Sequence, residues 1–346
     1  MSADLGCGLG GFDWSAPPPG KRGRPITLLG KVIVLLVALF VFACVGFGWL
    51  LRTAVEENIT TLPDVFGELP SRPAATGGTG VTTALLIGTD RRSGPDIGGG
   101  VLGERADSLM LVRIAGGRRV DVLALPRDSW VPIPGHRPAK INAALALGGP
   151  PLVVRTVEDL TGLRVDHVVV ADFAAVRDIT GLLGGVTVFN PVATVDPLTH
   201  TEFPAGDILV EGDRALTWVR QRYGLPGGDL DRIARQQRLL GAIGTRLTTA
   251  RVLTHPGELA DVVTAVSRDL TVDSGLTAAR MAELLAALGA TPHEAIHFYT
   301  APVSGTGRSA DGQAYLTLDG PALARACAAI GTEQAVELTQ EPVLGG

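Results

Sequence analysis

Lysine is nearly absent from this chain: Lys21, Lys31 and Lys140 are its only instances, so arginine carries almost all of the positive charge. Cysteine is scarce as well. Cys7, Cys44 and Cys327 stand far apart with no ligand-like spacing, which excludes a disulfide framework and a zinc knuckle. The six histidines are scattered and read as structural, His293 and His297 among them. There is no basic excess either, and a formal net charge of −5 argues against nucleic acid as a partner. What is plentiful is apolar: 46% of the 346 residues are hydrophobic, enough to bury a large core.

Charge is missing altogether from Val32 to Leu51, a run long enough to cross the ~30 Å hydrocarbon core of a bilayer at ~1.5 Å per residue. Before it, residues 1–31 form a Gly- and Pro-rich tail ending in Lys21, Arg22, Arg24 and Lys31. These cations place the N-terminus in the cytoplasm and the rest of the chain outside. Bulky Trp49, Leu50 and Leu51 follow where a cleavage site would need small residues, so the segment reads as a retained single-pass anchor. Residues 52–80, with Pro63, Pro70, Pro73 and Gly77-Gly78, read as a stalk.

From Val81 the pattern alternates strands with helices. Strands are expected at Thr83–Ile87, Leu109–Ile114 and Val120–Leu125, with a Gly116-Gly117 hairpin between the last two. A short helix ending at Gly148-Gly149, a helix over Pro151–Leu160, a strand over Val165–Val170, a helix over Phe173–Leu182 and a strand over Val186–Phe189 follow. Helices over Arg251–Asp269, Thr277–Leu288 and Pro321–Ile330, with strands at Ile296–Ala301 and Ala314–Leu318, complete the chain. This order predicts an α/β fold, an α-β-α sandwich around a central mixed sheet. The expected domain covers 81–331, with its motifs in 81–245, its completion in 246–331 and a tail at 332–346.

Three strand ends carry paired charges: Asp90 with Arg91 and Arg92, Arg105 with Asp107, and Arg127 with Asp128. In α/β sheets ligands gather at such ends. A further stretch, Trp218 to Arg238, crowds in Arg220, Arg222, Arg232, Arg235 and Arg238 with Asp229, Asp231 and Gln236. Pro226-Gly227-Gly228 reads as a turn, Asp229 as an N-cap and Leu230–Leu240 as a helix. On that helix Leu230, Ile233, Ala234 and Leu240 form the apolar stripe, while Arg232, Arg235 and Gln236 share another arc. Guanidinium forks match phosphate oxygens, so a pyrophosphate suits this set, although Asp-Arg pairs at helical spacing also describe an ordinary solvated helix.

The quoted motifs, together with Lys140-Ile-Asn142-Ala and Gly184-Gly185-Val186, resemble the LytR-CpsA-Psr family of cell-envelope phosphotransferases from about Val81 through Leu240. The resemblance implies transfer of a phosphoglycosyl polymer from a polyisoprenyl pyrophosphate carrier to peptidoglycan, at the 6-hydroxyl of muramic acid. It implies that Asp90 and Asp107 hold Mg²⁺, with Mn²⁺ as an alternative. Arg92, Arg105, Lys140, Arg220, Arg222, Arg232, Arg235 and Gln236 would grip the pyrophosphate. Arg127, Asp107 and Arg220 would be catalytic, with the general base unassigned and Arg91 or Arg92 facing the phosphate. The Ala-, Gly-, Val- and Arg-rich composition suits a GC-rich, actinobacterial genome. A hydrolase using water as acceptor, and a non-catalytic module that binds polyisoprenyl phosphates, are the competing readings. The polymer stays open among arabinogalactan, teichoic-acid-like and capsular types.

Overall fold

The structure is a computed structural model and describes residues 52–67, 69, 71–75, 78, 80–89, 106–248 and 263–334. The expected anchor at 32–51 lies outside them, and among the described residues no helix is long and apolar enough to cross a membrane.

The elements are β1 (Thr60–Leu62), β2 (Val81–Thr89), β3 (Ala106–Ala115), β4 (Arg119–Ala124), β5 (Trp130–Val131), β6 (Ala139–Lys140), α1 (Ala143–Thr161), β7 (His167–Asp172), α2 (Ala174–Leu182) and β8 (Val186–Asn190). They continue with β9 (Thr194–Val195), β10 (Glu202–Phe203), β11 (Gly206–Val210), α3 (Gly212–Arg220), α4 (Asp229–Thr248), β12 (Leu270–Asp273), α5 (Ala278–Ala290), β13 (Ile296–Thr300), β14 (Val303–Arg308), β15 (Ala314–Leu318) and α6 (Gly320–Gly331).

Seven strands make one mixed sheet in the order β1-β12-β7-β2-β3-β4-β13. Its strands are buried on both faces, which is why β3 reads as the continuous run Leu109-Met110-Leu111-Val112 and not as an alternation. Leu85, Ile87, Leu109 and Leu111 meet Val153, Val154 and Val157 of α1 and Leu323 and Ala326 of α6 on one face. Met110, Ile114, Val122 and Phe298 meet Ile233 of α4, with Leu284 and Leu288 of α5, on the other. The result is the expected α-β-α sandwich. A third apolar cluster joins β8, β11, α2 and α3 around Trp218 and receives Leu239 and Ile243 of α4.

The β3–β4 hairpin turns on Gly116 and Gly117, both with positive φ, a region that side chains disfavour. Gly148 and Gly149 break α1 into two helices, as their pairing with Pro150 and Pro151 predicts.

One expectation needs correction. Residues 52–80 are not simply a stalk: β1 is an edge strand paired in parallel with β12, Val65 is buried in the main core, and Arg72 holds the buried Glu158 at 2.7 Å. The helix expected over Arg251–Asp269 is present at 263–268, its residues 251–262 lie outside the described residues, and the chain then enters β12. The β14 strand was not foreseen, because Val-Ser-Gly-Thr-Gly-Arg carries little strand propensity and gains its order from pairing with β15.

Candidate active site

β2, β4, β7 and β13 run in one direction and β3 runs against them. The ends at Thr89, Ala124, Asp172 and Thr300 therefore share one edge of the sheet with the start of β3 at Ala106.

Asp107 owes its orientation to an irregularity at that edge. Along most of the β2–β3 ladder the pairing is regular, down to Gly88 with Ser108, but the next pair is Thr89 with Ala106, so Asp107 is an extra residue. A bulge of this kind re-aims a side chain. Without it Asp107 would share a face with Leu109 and Leu111. Instead Ala106 takes that place in the core, and Asp107 meets Arg127 through its Oδ1.

Arg127 follows β4 in a turn held by the Ser129 N–H donating to Pro126 O at 3.0 Å and the Asn142 N–H donating to Arg127 O at 3.2 Å. Its side chain reaches between strand and helix: Nε lies 3.5 Å from Asp229 Oδ1 and 3.9 Å from Asp128 Oδ2. Asp128 in turn pairs with Lys140 Nζ at 2.9 Å.

The helix expected over Leu230–Leu240 is α4, which is longer and begins at Asp229, so Asp229 is its first residue and not its cap. It is Asp231 that accepts from the Gly227 N–H, at 2.6 Å. Asp229 instead faces Arg232 Nη2 at 2.9 Å, and the same Nη2 donates to Asp107 O at 3.2 Å. Both Asp229 carboxylate oxygens are buried without a hydrogen bond of good geometry, as are Arg127 Nε, Arg232 Nε and Gln236 Nε2. Burial pulls the Arg232 guanidinium below its usual range; Asp229 opposes this, Arg127 adds to it, Asp107 opposes and Arg222 adds. Arg127, Arg232 and Lys140 thus balance Asp107, Asp128 and Asp229, and Arg222, exposed but close enough to act on Arg232, leaves a surplus positive charge that favours an anion.

Arg220 ends α3, and the chain turns extended at Gln221, whose side chain is buried between the exposed Arg220 and Arg222.

Arg235 is different. Although it shares the arc of Arg232, its Nη1 donates to Gln221 Oε1 at 2.6 Å and to Trp218 O at 3.2 Å. Its Nη2 donates to Thr194 Oγ1 at 2.8 Å and to Asn190 Oδ1 at 3.1 Å. It lies over the Trp218 ring at 5.0 Å, and burial pushes its pKa down to about 10. With its donors held by the protein, Arg235 supports the site and is not placed to be a phosphate ligand.

Asp90, Arg91, Arg92 and Arg105 lie outside the described residues. Among the described residues no group of three or more His, Cys, Asp or Glu side chains could hold a metal. A magnesium site asks for less, one or two carboxylates completed by phosphate oxygens and water. Asp107, with only Oδ1 engaged among the described residues, fits that requirement. One signal escaped the sequence reading: His293-Glu294-Ala295-Ile296-His297 spells the zinc-hydrolase motif H-E-x-x-H. That motif works on a helix, whereas here His293–Ala295 is a single 3₁₀ turn and His297 lies in β13.

A model of the LytR_cpsA_psr family matches residues 68–330. The chain belongs to this family. Relatives by sequence include the cell wall biosynthesis protein LcpA of Corynebacterium glutamicum, 28% identical over 86% of this chain and 64% of its own. The probable cell wall biosynthesis protein LcpB of the same organism is 33% identical over 57% of this chain and 49% of its own. The polyisoprenyl-teichoic acid–peptidoglycan teichoic acid transferase TagU of Bacillus cereus is 33% identical over 58% of this chain and 62% of its own. The chain thus spans less than two thirds of each of these three relatives. Among solved structures, the LytR-Csp2A-Psr enzyme from Actinomyces oris superposes with a TM-score of 0.61 at 22% identity, covering 81% of this chain and 98% of that one. TagT bound to LI-WTA gives 0.59 at 25%, covering 72% and 89%. The mixed sheet with flanking helices is the fold of this family.

Proposed function

We propose that this LytR-CpsA-Psr protein is a membrane-anchored phosphotransferase whose domain lies outside the cell. It moves a phosphoglycosyl polymer from a polyisoprenyl pyrophosphate to the muramic acid 6-hydroxyl of peptidoglycan. The observation that carries the reading is the convergence of Arg127 and Arg232 on Asp107 and Asp229 at the sheet edge. The teichoic acid transferase relatives and the TagT complex support the same chemistry.

In-line phosphoryl transfer asks the protein for positioning and for neutralisation of charge on the departing phosphate. Arg232, fixed by Asp229 and the Asp107 carbonyl, would grip the pyrophosphate from the α4 side, with Arg220 and Arg222 closing over it. Gln236 Nε2, a buried donor without a protein partner among the described residues, would bind a phosphate oxygen. Arg127 would hold the transferring phosphoryl group while Asp107 keeps its fork in place. Mg²⁺ or Mn²⁺, when bound by Asp107 with Asp90, would withdraw charge from the phosphate oxygens.

The test is donor affinity. Charge-assisted contacts to a sequestered phosphate contribute ~1.5–3 kcal/mol, so Arg220→Ala and Arg222→Ala should each weaken binding of a polyisoprenyl pyrophosphate about ten-fold or more. Unchanged dissociation constants would return these arginines to the role of solvated surface charge.

A further inference from the structure

We infer that Trp130 and Tyr315 form a sugar-binding platform beside the phosphate site and that its occupant is a pyranose ring of the acceptor glycan strand. The inference deepens the transferase reading and rests on it. Trp130 in β5 stands directly opposite Lys140 in β6, so the two side chains leave the same face of that ladder. Lys140 meets Asp128, next to Arg127, on that face. The Trp130 ring stacks on Tyr315 with centroids 4.7 Å apart and planes inclined by 30°, and both side chains are half-buried.

The hairpin that supplies Tyr315 is built for this stack. A Cβ on Gly307, opposite Tyr315, would lie 2.4 Å from its Cζ, so glycine is what lets the ring lie across the hairpin. The hairpin is tied to the site itself: the Leu316 N–H donates to Asp128 O at 2.9 Å, and Ser129 bridges to Leu316. Trp130 is three residues from Arg127, at most ~10 Å along an extended chain.

An indole face is electron-rich and attracts the partly positive C–H groups of a pyranose, through the same quadrupole that orders aromatic pairs. Lys140 and Asp128 add a donor and an acceptor for hydroxyls at the rim. The acceptor is favoured over the donor sugar by position. Within the 126–129 turn, Arg127 reaches Asp229 at the start of α4, where Asp229 pairs with Arg232. The β5–β6 and β14–β15 hairpins are tied instead to Asp128, through Lys140 and the Leu316 N–H, and it is there that the acceptor is assigned.

The experiment titrates the full chain in detergent with a muramic-acid-containing tetrasaccharide and, separately, with a short polyisoprenyl pyrophosphate sugar. Trp130→Ala and Tyr315→Ala should weaken tetrasaccharide binding about ten-fold, Trp130→Phe and Tyr315→Phe should restore most of it, and lipid pyrophosphate binding should hold in all four. In wild-type protein carrying 5-fluorotryptophan, saturating tetrasaccharide should shift the Trp130 resonance, identified by its loss in Trp130→Phe. An unmoved resonance overturns the platform even if the alanine variants fail to fold. Equal loss of donor and saccharide binding in well-folded variants overturns the assignment to the acceptor. Because both readouts are of binding, absence of transfer would count against the transferase reading while leaving this result legible.

Discussion

Arg235 donates to Gln221 across 2.6 Å, and this one bond ties the middle of α4 to the residue that separates Arg220 from Arg222. Arg235 also holds Asn190, Thr194 and the Trp218 carbonyl, so it knits the β8–β9 connection, the end of α3 and α4 together. Arg235→Met would take the charged donor from these buried acceptors, leaving Asn190 Oδ1 only the Trp218 Nε1–H at 3.4 Å and Gln221 Oε1 only the Thr194 hydroxyl at 3.3 Å, at ~1–3 kcal/mol for each bond lost and not additively. The expected loss of stability is about 3 kcal/mol or more, read from denaturant titration. Arg235→Lys should recover little of it, because one ammonium cannot reproduce the fork. A variant as stable as wild type would restore Arg235 to the list of free phosphate ligands.

Asp107 sits on a bulge at the sheet edge, half-exposed, so removing its charge should leave the fold intact. Asp107→Asn should lower turnover by about 10²-fold or more, in line with losing a preorganised electrostatic contact, with little change in the melting temperature. Transfer kinetics and a thermal melt on the same preparation check both halves.

Arg72 and Glu158 test whether the segment before Val81 belongs to the domain. Arg72 donates to Glu158 and to the Val165 carbonyl, and Glu158 is buried. Arg72→Met alone strands a buried carboxylate and should destabilise by ~3–5 kcal/mol, whereas the double change with Glu158→Met should recover much of the loss. Urea denaturation of the three proteins gives the coupling energy.

Asp273 gives the fold a pH dependence far from the site. Burial raises its carboxyl, but hydrogen bonds from His167 and from the Val168 and Gly275 N–H groups outweigh it and hold the pKa below the usual carboxylate range. A depressed folded pKa stabilises above the unfolded value of ~3.9, and that contribution disappears as pH falls through the folded one. Wild type should therefore be more stable than Asp273→Asn at neutral pH, and the gap should narrow steadily below about pH 4. Unfolding free energies measured from pH 7 down to pH 3 decide it; a gap independent of pH would contradict the ionised Asp273 carboxylate.

The sequence marked the site's strand ends because strand, turn and charge follow one another locally at Thr89, Asp107 and Arg127. It could not show that Asp107 points toward Arg127, since the bulge exists only in the pairing of β3 with β2. Arg232 and Arg235 lie on one helical arc and look alike in the sequence. What separates them are Asn190 at the end of β8 and Thr194 at the start of β9, more than forty residues before Arg235. Residues 232 to 239 are buried all round the helix, so the polar arc faces the site and its support and the solvated-helix alternative does not hold. β1 was invisible for the same reason: its partner β12 lies some two hundred residues on, and three residues carry no period.

The most direct measurement follows the fate of the phosphoryl group. Purified full-length protein in detergent is given Mg²⁺ and a polyisoprenyl-pyrophosphate-linked sugar, with and without muramic-acid-containing peptidoglycan oligomers, and both products are followed by mass. The account predicts a phosphodiester-linked adduct that forms only with the acceptor, with donor turnover rising when the acceptor docks and falling to background in Asp107→Asn. Release of free sugar phosphate at a rate indifferent to the oligomers would show a hydrolase, and tight donor binding with no turnover would show a binding module; either result contradicts transfer.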